Sequence, residues 1–224
     1  MKIKGVIFDM DGVILDSEKL YVRFWSEAGR ACGYNFERKH ALAIRSMARP
    51  FAVSKLKSFF GDDFNYDDVR NKRIELMSEY IEKNGIDTKH YAEEILSYLK
   101  ENGYKTAIAT ATPPERTEKY LKQVGLYDYF DELISASMVE NGKPAPDIYK
   151  FASAKLSLSP ENCIAVEDSP NGVQSASSAG CVTVMVPDMD SPDDEVIKKV
   201  YRVADNLKEL ENIIEEINGG KRNA

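Results

Sequence analysis

Six side chains in this 224-residue sequence could together carry out one reaction. Asp9 and Asp11 stand two positions apart in Asp9-Met10-Asp11-Gly12. Thr110 ends the apolar run Thr106-Ala107-Ile108-Ala109, Lys143 lies in Asn141-Gly142-Lys143-Pro144-Ala145-Pro146, and Glu167-Asp168 close the run Cys163-Ile164-Ala165-Val166. Clustered carboxylates repel one another unless a cation holds them. Several hard oxygen donors suit Mg²⁺, which ordinarily shares its shell with waters and a substrate phosphate. A hydroxyl and an ammonium are the point contacts that a phosphoryl group takes. The set therefore points to Mg²⁺-assisted phosphoryl transfer with a carboxylate nucleophile. Singly, each residue has a plainer role. An Asp-x-Asp after a strand commonly caps a turn, Glu167-Asp168-Ser169-Pro170 could cap a helix beginning near Asn171, Thr110 could start a loop, and Lys143 could be a solvated loop lysine. Their convergence on one edge of a predicted sheet is what carries the chemical reading.

The elements that must position these residues are legible as hydrophobic pattern. Gly5-Val6-Ile7-Phe8 is a continuous apolar run that stops abruptly on Asp9, and Val182-Thr183-Val184-Met185-Val186 is another. Such runs read as strands buried on both faces in a parallel sheet beneath helices. Helix-period segments lie between them: Ile95, Leu96 and Leu99 before Gly103, a C′ glycine; Tyr120, Leu121 and Val124 before Gly125; Leu207, Leu210, Ile213, Ile214 and Ile217 before Gly219, with Asp205 as the N-cap of that last helix. The alternation predicts a doubly wound α/β parallel sheet, whose ligands bind at the carboxyl ends of the strands near the switch point in strand order. Residues 17–86 break the alternation. Leu20, Phe24 and Trp25, then Phe51, Leu56, Phe59 and Phe60, then Val69, Ile74, Met77 and Ile81 have helical spacing, with no convincing buried strand among them. The expected organisation is a core of residues 1–16 and 87–224 interrupted by a helical bundle at 17–86. The tail, residues 219–224, is expected to fray.

Composition excludes several other classes. Thirty basic against 37 acidic residues give a net charge of −7 with no Lys/Arg cluster, which disfavours nucleic-acid binding. No apolar run approaches bilayer length, and Met1-Lys2-Ile3-Lys4-Gly5 enters a strand with no signal-peptide h-region. Cys32, Cys163 and Cys181 match neither a disulfide framework nor a zinc pattern. The expectation is a reduced cytoplasmic protein without membrane or nucleic-acid partners, a monomer or weak dimer. The acidic stretch from Asp188 to Glu195 reads as a solvated loop, the tyrosines as amphipathic packing and His90 as a surface residue.

Asp9-Met10-Asp11-Gly12-Val13 with Asp16-Ser17, Thr110, Lys143-Pro144-Ala145-Pro146-Asp147 and Glu167-Asp168-Ser169 resemble, in order, the four motifs of the haloacid dehalogenase superfamily. The likeness is strongest to the branch containing β-phosphoglucomutase and small phosphosugar phosphatases. It covers most of the core, and the helical insert looks like that branch's four-helix cap. The resemblance implies a Rossmannoid core of that family's type and a set of roles. Asp9 would be the nucleophile that forms an aspartyl-phosphate. Asp11 would be the general acid/base, its side chain turned from the metal and its backbone carbonyl on Mg²⁺. Gly12 would allow the tight turn between them. Thr110, Ala111 and Lys143 would contact the phosphoryl group, with Lys143 also orienting Asp9. Asp168 would complete the metal site, with Glu167 beside it as a direct ligand or one layer behind.

A lid hinged near Asp16-Ser17 and Gly85 would supply selectivity. Arg49 matches the family's cap arginine that grips a distal phosphate, with Arg73 a second basic contact. Tyr21 stands where β-phosphoglucomutase has a cap histidine. This substitution implies a phosphatase acting on a small phosphorylated metabolite, a sugar or polyol phosphate, with a phosphosugar mutase as the alternative. A phospho-accepting receiver also uses strand-end acids, a Thr and a Lys, but has no place for Asp11 or the large insert. A dinucleotide enzyme would need a GxGxxG after Gly5-Val6-Ile7-Phe8, and neither that nor a Walker A sequence occurs.

Overall fold

The computed structural model describes residues 2–45, 47 and 49–219; the terminal segment 220–224, most of the tail expected to fray, lies outside them. The described chain divides into two compact units, Met1–Leu15 with Asp87–Ala224, and Asp16–Ile86.

The first unit is a six-stranded sheet, all parallel: β1 (Gly5–Phe8), β2 (Lys105–Thr110), β3 (Glu132–Ser135), β4 (Cys163–Glu167), β5 (Val182–Met185) and β6 (Arg202–Val203), in spatial order β3-β2-β1-β4-β5-β6. It is the expected doubly wound α/β architecture. The chain winds outward from β1 to β3 on one side, then returns to β1's other edge with β4, so the switch in strand order falls at β1. Every residue of β1 and β4 is buried, as their unbroken apolar runs require. Helices α7 (Asp147–Lys155) and α8 (Pro170–Ala179) cover one sheet face: Ile7, Ala107, Ala109 and Ala165 from the strands form one cluster with Ile148, Tyr149, Ala152 and Ala176. Residues of opposite parity, among them Val6, Phe8, Ile108 and Val166, are equally buried. Helix α5 (Ala92–Glu101) buries Ala92, Ile95, Leu96 and Leu99, the i, i+3, i+4, i+7 spacing of one helix face, and lies against β2 and α10 (Glu209–Gly219). It ends as expected on Gly103, whose φ of +73° accepts the left-handed turn.

Register places the chemistry. Phe8 is paired with Ile108 on one side and Val166 on the other, so the next residue on each strand falls at a common level. The Asp9 backbone N–H continues the ladder to Val166 O at 2.9 Å. The chain reverses at once: Ile14 and Leu15 both donate to Met10 O, and Gly12, at φ +85°, occupies the left-handed position this turn demands. At the opposite end of β1, the Asn218 amide pins Ile3, accepting from its N–H at 2.7 Å and donating to its carbonyl at 3.3 Å.

Several local expectations are corrected. Strands β3 and β6 were not signalled by an apolar run: β3 starts on Glu132 and only Ile134 and Ser135 are buried, while β6 has two residues. Asp205 is not the N-cap of the final helix. That helix starts at Glu209, whose carboxylate accepts from the Asp205 N–H, and Asn206 Oδ1 accepts from Lys208 N–H. Gly219 lies within the helix rather than after it. The acidic stretch is not simply a solvated loop either. Asp188 is largely buried against Lys89 at 2.8 Å, and Asp193 caps the short helix α9 (Asp194–Ile197). His90 is on the surface, as expected. Among the described residues no helix is long and apolar enough to cross a membrane.

The second unit is built from α1 (Glu18–Ala31), α2 (Arg38–Ala43), α3 (Arg49–Phe60) and α4 (Tyr66–Asn84), with α1 packed along α4. Its core is aromatic. Phe36 and Phe64 each stack on Phe60 with centroids 5.2 Å apart, and the buried His40 ring meets Phe36 edge-on while its Nδ1 accepts from the Glu37 N–H. Leu56, Val69, Met77 and Ile81 are buried as their spacing implies, but Phe51 and Phe59 are exposed. Gly29 on α1 is fixed by close approach: a Cβ there would lie 2.3 Å from Phe36. Gly29→Ala should therefore cost about 1–3 kcal/mol through overpacking, outweighing the gain in helix propensity. Urea denaturation reads this as a lower midpoint, and an unchanged midpoint would show that Phe36 can move aside freely.

Candidate active site

The site forms where β2, β1 and β4 end. Asp9, just past β1, is buried, and the loop lysine Lys143 donates to its Oδ1 at 2.5 Å. The same ammonium donates to Ala109 O on β2 at 2.8 Å and sits 2.6 Å from Glu167 Oε1 at the end of β4. Three hydrogens thus meet three acceptors from three neighbouring strands. Glu167 is almost inaccessible, with a side-chain exposure of 1 %, and Lys143 is mostly covered at 14 %. Glu167 Oε1 also accepts from Tyr149 Oη on α7 at 2.5 Å. The carboxylate packs against the first turn of α8. Ser169 caps that helix through Gly172 N–H, and a Cβ on Gly172 would fall 1.9 Å from Glu167 Oε2. Gly172 is therefore the residue that makes room for the acid.

Asp9, Glu167 and Asp168, all buried, offer carboxylate oxygens within 4.8 Å of one another. Counted as ionised, three carboxylates and the Lys143 ammonium sum to −3 + 1 = −2. A hard divalent cation balances that charge, and an all-oxygen donor set is the one Mg²⁺ takes. The donors present therefore fit the expected ion. Asp11 does not join this trio: its Oδ2 accepts from Thr112 Oγ1 at 2.8 Å, leaving the Asp11 backbone carbonyl as the group through which the expected metal role would run. Thr110 is buried, and its Oγ1 accepts from Thr112 N–H at 3.0 Å, which tightens the loop around the exposed Ala111.

The electrostatics follow from burial. The Asp9 carboxyl is pushed up to about 8, chiefly because burial penalises its charged form; Lys143 pulls it down, while Glu167 and Asp11 push it further up. Burial disfavours the Lys143 ammonium, but Asp9 and Glu167 more than offset this and raise its pKa. The Tyr149 hydroxyl is raised well above its ordinary value, by burial first and then by Glu167, so it is a donor throughout the working range.

The structure brings Asp9, Asp11, Gly12, Thr110, Ala111, Lys143, Glu167 and Asp168 to one rim. Arg49 belongs to the helical unit. There its guanidinium makes a two-pronged pair with Asp67 at 2.7 Å and is 61 % exposed. Arg73 in the same unit is buried, with its guanidinium over the rings of Tyr21 and Trp25 at 4.9 and 5.5 Å. Thr112 and Tyr149 are the site residues that sequence reasoning passed over. Thr112 could have been suspected from its place two residues after Thr110; Tyr149 carried no local signal beyond its helical spacing. It is not one more packing tyrosine, because its hydroxyl is spent on a buried carboxylate.

Residues 3–180 match the family model of haloacid dehalogenase-like hydrolases, and the chain belongs to that family. It is 28 % identical to a phosphorylated carbohydrates phosphatase of Thermotoga maritima over 95 % of this chain and 91 % of that protein. It is 32 % identical to hexitol phosphatase A of Escherichia coli over 83 % and 84 %. Among solved structures, a β-phosphoglucomutase from Clostridium difficile superposes with a TM-score of 0.79 at 25 % identity, covering 97 % of this chain and 98 % of that one.

A metal that takes Asp9 as a ligand must displace its proton. Mg²⁺ titrated into the metal-free protein near neutral pH should release up to about one proton per ion. Calorimetry in two buffers of different ionisation heat reads this, and no release would remove Asp9 from the ligand set or show it already ionised. The same shift fixes the sign for stability. In the metal-free protein the Asp9 contribution is full below its ordinary 3.8 and is lost as pH rises through about 8.

Proposed function

We propose that this hydrolase removes the phosphoryl group from a small phosphorylated metabolite, a sugar or polyol phosphate, through an aspartyl-phosphate on Asp9. The observation that carries the reading is the division of labour between two carboxylates two residues apart. Asp9 is clamped by Lys143 beside the acidic trio, whereas Asp11 is turned away to Thr112. One is fixed as a nucleophile, and the other is held apart as a proton carrier.

In the first half-reaction an Asp9 oxygen attacks phosphorus, the bond from phosphorus to the ester oxygen breaks, and protonated Asp11 delivers its proton to that oxygen. In the second, the Asp11 carboxylate takes a proton from water, whose oxygen attacks phosphorus. The bond to Asp9 breaks, inorganic phosphate leaves, and both acids are restored. Lys143 fixes the rotation of the Asp9 carboxylate and offsets phosphoryl charge, and the Thr110 hydroxyl and the loop at Gly12 and Ala111 seat the phosphoryl oxygens. Asp9 and Asp168, the Asp11 carbonyl and Glu167, directly or one layer behind, would hold Mg²⁺. The ion supplies neutralisation of the charge between nucleophile and phosphate.

The names of the relatives support the substrate class: one is a phosphorylated carbohydrates phosphatase, another a hexitol phosphatase. Substrate choice belongs in this reading to the helical unit acting as a lid, with Arg49 as its cation for a distal anionic group and Tyr21 where a mutase has histidine. The same reading takes the enzyme to be cytoplasmic, in keeping with free Cys32, Cys163 and Cys181, and to act as a monomer or weak dimer.

Phosphorus NMR of the purified protein with Mg²⁺ and a pool of sugar and polyol phosphates, including β-glucose 1-phosphate with a trace of its bisphosphate, tests the reading. Inorganic phosphate should grow at the expense of particular resonances. A new phosphomonoester without free phosphate would establish a mutase instead. Asp9→Asn should lower turnover by more than about a thousandfold with the fold intact, because the charge is lost and the volume kept. Residual activity within about tenfold would remove Asp9 as nucleophile.

A further inference from the structure

We propose that Tyr149 is a positioning residue that holds Glu167 in place and thereby fixes the Lys143 ammonium against Asp9. The proposal rests on the reading of Asp9 as the nucleophile. Tyr149 is the third residue of α7 and is completely buried among Ile148, Ala152 and the small side chains of the sheet. Its hydroxyl donates to Glu167 Oε1 at 2.5 Å, and its ring lies beneath the Lys143 ammonium with Nζ 5.1 Å from the centroid. One side chain therefore grips both halves of an ion pair, the anion by hydrogen bond and the cation by its ring face.

The pair needs this support because Lys143 is shared. Its hydrogens also serve Asp9 and Ala109 O, so it cannot satisfy Glu167 alone. Oε1 receives two donors, Lys143 at 2.6 Å and Tyr149 at 2.5 Å. Oε2 has Ser169 Oγ at 3.5 Å and is confined by the α-carbon of Gly172. A buried carboxylate stripped of one donor is held less firmly and shifts against the donors that remain, loosening the whole cluster. Without the tyrosine hydroxyl, Glu167 competes with Asp9 for the ammonium, and the Asp9 carboxylate loses its fixed orientation. Tyr149 contacts neither Asp9 nor Asp11 through a hydrogen bond of its own, so its effect passes through Glu167 and Lys143.

Tyr149→Phe removes the hydroxyl alone, keeping the ring under the ammonium and nearly the same volume. In the metal-free protein labelled with ¹⁵N-lysine, the buried Lys143 ammonium should give a slowly exchanging signal, assigned by its loss in Lys143→Met. Tyr149→Phe should speed that exchange by about tenfold, the effect of one lost hydrogen bond to a charged group. In turnover, kcat should fall by about tenfold while KM changes by less than about twofold, since no substrate contact is lost. In a Glu167→Gln background the same substitution should have little further effect on kcat, because the acceptor it serves is already altered.

Unchanged exchange in Tyr149→Phe, or an equal loss of kcat in both backgrounds, would overturn the proposal. So would a drop in thermal stability with exchange and kcat intact, which would make Tyr149 a packing residue only. The exchange experiment needs neither substrate nor metal. If no phosphomonoester were hydrolysed, the proposed function would fail while the positioning of Lys143 by Tyr149 would still be decided.

Discussion

One ammonium organises this protein. Lys143 reaches from a loop outside the sheet to the ends of three adjacent strands, where it meets a carboxylate on β1, a carbonyl on β2 and a second carboxylate on β4. Three buried acids cannot share that rim without a counter-charge, and a single lysine supplies only part of it. The rest of the architecture can be read from this deficit. The sheet must be parallel for its strand ends to coincide, β1 must be central for Asp9 to have acids beside it, and Gly172 must lack a side chain for Glu167 to fit. The residual negative charge is one that a divalent cation would balance, and the proposed phosphoryl chemistry rests on that balance.

The same constraint explains why two carboxylates so close in sequence behave differently. Asp9 extends the strand and is delivered into the acidic cluster, whereas Asp11 lies beyond the point where the chain turns back on Met10. The turn hands Asp11 to Thr112 at the end of another strand. Thr112 is a neutral partner, and Asp11 is only partly covered from solvent. Distinct environments thus follow from a two-residue offset across a bend, and the tasks proposed for the two acids rest on them.

The parallel core and the residues at its strand ends were legible because both depend on local pattern. Unbroken apolar runs identify strands covered on both faces, and polar residues that end them abruptly stand where such sheets bind ligands. What escaped was non-local or weakly patterned. Strand β3 opens on an acidic, half-buried residue at the sheet edge, so its run is too short and too polar to signal burial. Thr112 and Tyr149 gain meaning only from partners 101 and 18 positions away. Asp205 had the right chemistry for a cap, but Asn206 and Glu209 satisfy the backbone there instead. In the helical unit, spacing identified the buried stripe yet could not tell that Phe51 and Phe59 fall outside it, since a short amphipathic segment does not reveal which of its aromatic residues meets a neighbour.

The position of β1 also has a consequence in time. Ahead of the other five strands in the chain, it is flanked by β2, more than ninety positions later, and by β4, which arrives later still. The ion pair that orients Asp9 closes a span of 134 residues. Until that span has left the ribosome, Asp9 has no lysine beside it and no Glu167 across the strand. The surroundings of Asp9 are therefore completed late, and a nascent chain carries Asp9 and Asp11 without the neighbours on which the proposed chemistry rests.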